Sequence, residues 1–179
     1  MSLLAKIWKL LHLPKGLQLM VMRLVHDQFL VGVTGIIFND KEEVLLFKHS
    51  YRQTPWSLPG GYLQAKEHPR EGLEREIKEE SGLVVSIDEQ LKTRTDRDTA
   101  RLDLCYIGKF IGGEFSPSHE VTEQGFFSFE DLPLISKNQL LMIRKAMNQK
   151  RSIAEVEVAR ENASETLVSK IKRLFSGKR

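Results

Sequence analysis

Hydrophobic positions recur at helical spacing at both ends of the chain and cluster as strands in the middle. Leu3, Ile7, Leu10 and Leu11 fall on one helical face, with Lys6 and Lys9 on the other. Pro14 and Gly16 interrupt that run, and Leu17, Met20, Val21, Leu24 and Val25 resume it as a second short helix. The β-branched, Gly-interrupted stretch Phe29–Phe38 predicts a strand. Asn39-Asp40-Lys41 reads as a turn, and Glu43–Lys48 as the antiparallel return. Pro69 suits the first turn of a helix that runs to about Ser81, where Gly82 stops it. Leu83–Ile87 and Leu102–Phe110 predict strands on either side of the charged stretch Arg94–Arg101. Glu114–Glu123 reads as a loop, Phe126–Phe129 as a short strand, and Lys137–Lys150 as a helix. Helical periodicity continues over 152–176, clearest at Leu167, Val168, Ile171, Leu174 and Phe175.

Composition narrows the class. The 179 residues are 41% hydrophobic and 28% charged, which suits one globular domain with extensions at 1–27 and 151–179 around a body at 28–150. The single cysteine, Cys105, excludes an internal disulfide framework and a multi-cysteine zinc site. No apolar run is long enough to span a membrane and no signal peptide is apparent, so the expected compartment is the cytoplasm. The net charge of +3 conceals two basic ends, +3 over residues 1–27 and +4 over 164–179, around an acidic middle of −4. That asymmetry does not make the body a nucleic-acid binder. The terminal helices have three readings: docking on their own domain, pairing of two copies, or contact with RNA or an anionic membrane. Amphipathic stripes favour the first two.

The densest chemistry lies between Gly61 and Leu83. Glu76, Glu79 and Glu80 stand at i, i+3 and i+4, so their carboxylates leave the predicted helix on nearly one face. Like charges so placed destabilise a bare helix, and a divalent cation among them relieves the repulsion. All-oxygen ligation favours Mg²⁺, then Mn²⁺. The bland alternative is a solvated acidic face. Glu67 can approach the same place, and Arg75 can pair with Glu79 or Glu67. Gly60 and Gly61 let the backbone come close to an ion or a phosphate.

Gly61, Glu67, Arg75-Glu76-Ile77, Glu79-Glu80 and Gly82-Leu83, in this spacing, resemble the complete Nudix box. A chance match in a chain of this length is on the order of one in ten million. The resemblance covers about residues 28–150. It implies an α/β fold, an α/β/α sandwich with a mixed β-sheet, here with extra N- and C-terminal helices. It also implies a hydrolase that opens a nucleoside diphosphate linkage by water attack at phosphorus. Carried over by position, Glu76, Glu79 and Glu80 hold Mg²⁺ with the Gly61 carbonyl, and Glu79 and Glu80 serve catalysis. Glu67 and Arg75 brace the loop and helix. Family members often add a base from a loop outside the box. Glu120 is the choice here, and Glu123 the second choice.

Around the box, Tyr51, Arg52 and Gly60 are candidates for substrate contact, whereas Trp56 more simply packs in the core. His49 and His119 read as structural or surface groups. Arg94, Arg97 and Arg101 alternate with Asp96, Asp98 and Asp103 as a salt-bridged hairpin. Cys105 reads as a small buried hydrophobe. Of the patterns that mark Nudix subfamilies, the proline of the ADP-ribose type is missing from Asp98-Thr99-Ala100. The expected substrate is therefore a nucleotide or nucleoside diphosphate derivative of unspecified type. Two alternatives stand beside it: RNA 5′-end hydrolysis guided by the basic termini, and a non-catalytic nucleotide-binding regulator on the same scaffold. Because metal binding needs ionised carboxylates, activity is expected to rise from about pH 6 to about pH 8–9.

Overall fold

The computed structural model describes the backbone of residues 14–50, 52–96 and 98–176, and side chains as far as 162. The first predicted helix, around Leu3–Leu11, lies outside the described residues. The second is present as α1 (Lys15–Val25), and none of its residues is buried.

The apolar run after it forms β1 (Leu30–Phe38), on which both layers of the fold are built. Alternation sends Val33 and Ile37 to one face of the sheet, and Ile36 and Phe38 to the other. β2 (Val44–His49) is buried on both faces in the same way, with Leu45 and Phe47 opposite Val44 and Leu46. The short strands β3 (Trp56–Ser57) and β4 (Gly60–Tyr62) lead into α2 (Pro69–Ser81). The long hairpin β5 (Val84–Asp96) and β6 (Arg101–Gly112) follows, then β7 (Val121–Phe127) and the 40-residue helix α3 (Lys137–Ser176). The sheet runs β3-β2-β1-β6-β5, with β4 on β1 and β7 on β2; β1 and β6 are parallel and the other pairs antiparallel. Leu73 and Ile77 of α2 cover one face, and Met142, Ile143 and Ala146 of α3 cover the other. The result is the α/β/α sandwich with a mixed sheet, with α1 and the distal part of α3 added to it.

Three expectations need correction. β1 and β2 do not form an extended hairpin: they pair only at Phe38 and Val44, beside the Asn39 turn. β4 occupies that edge of β1 at Gly32–Thr34, so β2 diverges and pairs along its length with β7. The strands on either side of the charged stretch are longer than expected: β5 runs on to Asp96 and β6 begins at Arg101, with a turn at 98–100. The loop after Gly113 ends at Val121, so Glu123 belongs to a strand. Cys105 is buried, as expected.

Helix α2 carries its own start and stop signals. His68 caps it, accepting from the Arg70 amide while Glu71 accepts from the His68 amide, and Pro69 opens the first turn. Gly82 closes it in the left-handed region at φ 74°, donating to the Lys78 carbonyl. A Cβ there would also sit 2.7 Å from the Glu114 carbonyl oxygen. Gly82→Ala is therefore expected to cost about 1–3 kcal/mol of stability, read as a lower urea midpoint. A change within about 0.5 kcal/mol would mean that the helix end does not depend on this conformation.

Candidate active site

Leu73 and Ile77 anchor one side of α2 in the core, which leaves Glu76, Glu79 and Glu80 at the edge facing β4. The backbone of β4 comes very close: a Cβ on Gly61 would lie 2.3 Å from the Glu76 carboxyl carbon and would push that carboxylate out of its place. Arg75 then distributes its guanidinium over three carboxylates. Its Nε and Nη2 donate to the two oxygens of Glu67 at 2.9 and 2.8 Å. Nη1 donates to Glu76 at 3.0 Å and to Glu79 at 2.9 Å. Nη2 also reaches the Tyr62 carbonyl at 3.3 Å. The sequence offered Glu79 or Glu67 as the partner of Arg75; the structure has both, and Glu76 as well.

This sharing separates the acids by their surroundings. The Arg75 hydrogen bonds hold the Glu67 carboxyl down to about 2, helped by the Gln64 amide, and the same bonds raise the pKa of Arg75. Glu80 has no such bond. Its Oε2 is buried without a hydrogen-bond partner. Burial first, then the charges of Glu76 and Glu120, pushes its carboxyl up to about 7.

Opposite the helix, Ser118 accepts from the amides of Glu120 and Val121 and so shapes the turn that carries Glu120. Glu76, Glu79, Glu80 and Glu120 line one cavity of about 490 Å³ together with Arg52, Gly60, Gly61, Tyr62, Ser118 and His119. Arg52 is steadied by donating to the Ser57 hydroxyl at 2.9 Å. Glu123 is not brought there: it faces Lys48 across the β2–β7 ladder and pairs with it at 2.7 Å. Tyr51 lies outside the described residues. Trp56 packs edge-on against Phe127, 5.1 Å between ring centres, in keeping with a core role. His49 is structural but sits behind the site, its imidazole held down to about 4 by burial and then by Arg52.

The donor set suits a hard cation. Glu76, Glu79, Glu80 and the Gly61 carbonyl offer oxygen only, and the unpartnered Glu80 oxygen is one that an ion would satisfy. Among the described residues no three acidic, histidine or cysteine side chains already converge as a metal site. Arg75 draws Glu76 and Glu79 toward itself instead.

Sequence reasoning passed over a second cavity of about 340 Å³ between the β5–β6 hairpin and the start of α3. The salt-bridged hairpin is present there. Asp103, nearly buried, lies between Arg101 at 2.5 Å and Arg94 at 3.7 Å, while Arg97 falls outside the described residues. Arg101 also lies over the Tyr62 ring, 4.9 Å from its centre, and donates to the Tyr62 hydroxyl. Asn138 and Gln139 of α3 complete the polar lining. Tyr62 borders both cavities, so they adjoin. Its position beside Gly61 was the only signal for it in the sequence.

The NUDIX domain profile matches residues 28–150. An ADP-ribose pyrophosphatase of Methanocaldococcus jannaschii is 31% identical over 125 residues, 67% of this chain and 74% of that protein. A MutT-like protein of Streptomyces ambofaciens is 32% identical over 92 residues, 51% of this chain and 59% of that protein. Among solved structures, an ADP-ribose pyrophosphatase of Streptococcus suis superposes with a TM-score of 0.58 at 26% identity. That match covers 67% of this chain and 92% of the other. The box, the sandwich that presents it and these likenesses together place the chain in the Nudix hydrolase family.

Proposed function

We propose that the protein is a pyrophosphohydrolase dependent on Mg²⁺ or Mn²⁺. It would cleave the diphosphate linkage of a nucleoside diphosphate derivative, with residues 28–150 as the catalytic unit. The observation that carries this reading is the single cavity in which Glu76, Glu79, Glu80 and Glu120 meet Arg52 and the β4 backbone. Glu76, Glu79, Glu80 and the Gly61 carbonyl would hold the ion. When bound, the ion neutralises diphosphate charge and lowers the pKa of a coordinated water.

The chain's own residues do the rest. The Arg75–Glu67 pair ties α2 to the loop before it and keeps the carboxylates at the edge of β4. Arg52 presents its guanidinium to the phosphates. Glu120, on the loop opposite, would accept a proton from the attacking water. The adjoining cavity, with Arg94, Arg101, Asn138 and Gln139, would take the group beyond the diphosphate. ADP-ribose heads the candidate substrates because the relatives named for it resemble the chain over two thirds of its length. The missing subfamily proline keeps nucleotide sugars and nucleoside triphosphates beside it.

Purified protein with Mg²⁺, given ADP-ribose, nucleotide sugars, nucleoside triphosphates and 5′-triphosphate RNA, is expected to turn over one small-molecule class. Glu80→Gln should lower that rate about 100-fold or more. RNA as the sole substrate would favour the alternative in which the basic termini guide a 5′ end. Thermal stabilisation by ADP-ribose without turnover would indicate a binding module.

The acids also make stability predictions. Glu80 has a folded value near 7, above the ordinary 4.5. Its protonation therefore favours the folded chain: the contribution is full below pH 4.5 and is lost as pH rises through about 7. With chelator present, Glu80→Gln should melt above the wild type at pH 8 and match it at pH 4. Equal melting at both would show that Glu80 is not held up by its site.

Glu67 has the opposite sign. Its contribution is present above 4.5 and is lost as pH falls through about 2. Glu67→Gln should therefore melt lower than the wild type at pH 7, with the gap closing in acid. A gap independent of pH would contradict the Arg75 ion pair as its cause.

A further inference from the structure

Just beyond residue 150, α3 still borders a groove against the sheet edge, where Ile153, Ala154 and Glu157 face Asp88, Glu89 and Lys109; no later described residue lines that groove. All residues from 151 to 162 are exposed, and Ile153, Val156 and Val158 keep 40, 49 and 56% of their surface in water. The backbone stays helical to Ser176, so the stretch extends about 39 Å at 1.5 Å per residue. In proteins most helical stability comes from burying an amphipathic face rather than from propensity. The sequence supplies such a stripe: Ile153, Val156, Ala163, Leu167, Ile171 and Leu174 recur at spacings of three, four and seven.

The charges say what covers it. From 155 to 165 there are four glutamates and one arginine; from 166 to 179 there are five basic residues and no acid. A parallel pair of such helices would set like charge against like. An antiparallel pair sets each half against its opposite. An anionic surface would repel the glutamate half, which carries the same stripe. We propose that this stretch pairs antiparallel with the same stretch of a second copy, crossing near residue 165, and so makes the protein a dimer through its tail. The pairing segment starts beyond every residue of the candidate active site, so the proposal stands or falls independently of the catalytic reading.

Sedimentation equilibrium of the full chain should give twice 20.6 kDa. Reversing the acidic half (Glu155→Lys, Glu157→Lys, Glu161→Lys) should give a monomer. So should reversing the basic half (Lys170→Glu, Lys172→Glu, Arg173→Glu). Both sets in one chain should restore the dimer, because the halves again oppose. Near-ultraviolet circular dichroism, which reads the aromatic side chains of the sandwich, and an unchanged melting temperature would show that each variant's body is folded. A monomeric wild type, reversals that leave the dimer intact, or a double reversal that stays monomeric would each overturn the proposal. A monomer that co-sediments with phosphatidylglycerol vesicles would overturn it in favour of a lipid partner.

Discussion

The site depends on one guanidinium shared among three carboxylates. Glu76, Glu79 and Glu80 crowd one side of a helix whose other side is fixed in the core by Leu73 and Ile77, so their backbone positions are held at that spacing. Arg75 offsets that repulsion and, through both oxygens of Glu67, also fastens the preceding loop to the helix. The geometry of the cavity follows from this: the loop is pinned, the helix edge is held against β4, and Gly61 leaves room for the carboxylate that arrives there.

The same arrangement gives chemically equal side chains different properties. Glu67 is saturated with donors and stays ionised into strong acid. Glu80 makes no hydrogen bond to Arg75, is half-buried next to other acids, and has its carboxyl pushed up to about 7. Arg52 offsets this only in part, and a cation beside the carboxylate would offset the rest. The family contributes the principle of the box. In this chain, Glu67 is saturated with donors while Glu80 keeps one oxygen without a partner.

Much of this was legible in the residues, for physical reasons. The box chemistry needs set residue types at set spacings, and α2 is delimited by Pro69 and Gly82, whose backbone preferences are local. The alternation in β1 and β2 reports two buried faces directly. Nonlocal competition was not legible. Nothing in Glu43–Lys48 shows that β4 will claim the edge of β1, so β2 read as a hairpin arm when its partner is β7. Glu120 and Glu123 look alike as loop acids. Strand register decides between them, placing Glu123 opposite Lys48 while the Ser118 turn directs Glu120 to the cavity. The role of Tyr62 as the wall between two cavities arises from Arg101, 39 positions away, lying over its ring.

The α2 carboxylates, held by Arg75 at the edge of β4, are proposed to form a divalent-cation site. Titration of the metal-free protein with Mn²⁺, following free ion by its paramagnetic resonance signal, tests this most directly. The wild type is expected to take up Mn²⁺, whereas a folded chain carrying Glu76→Gln and Glu80→Gln is expected to leave the ion free. Equal uptake by both proteins would contradict it.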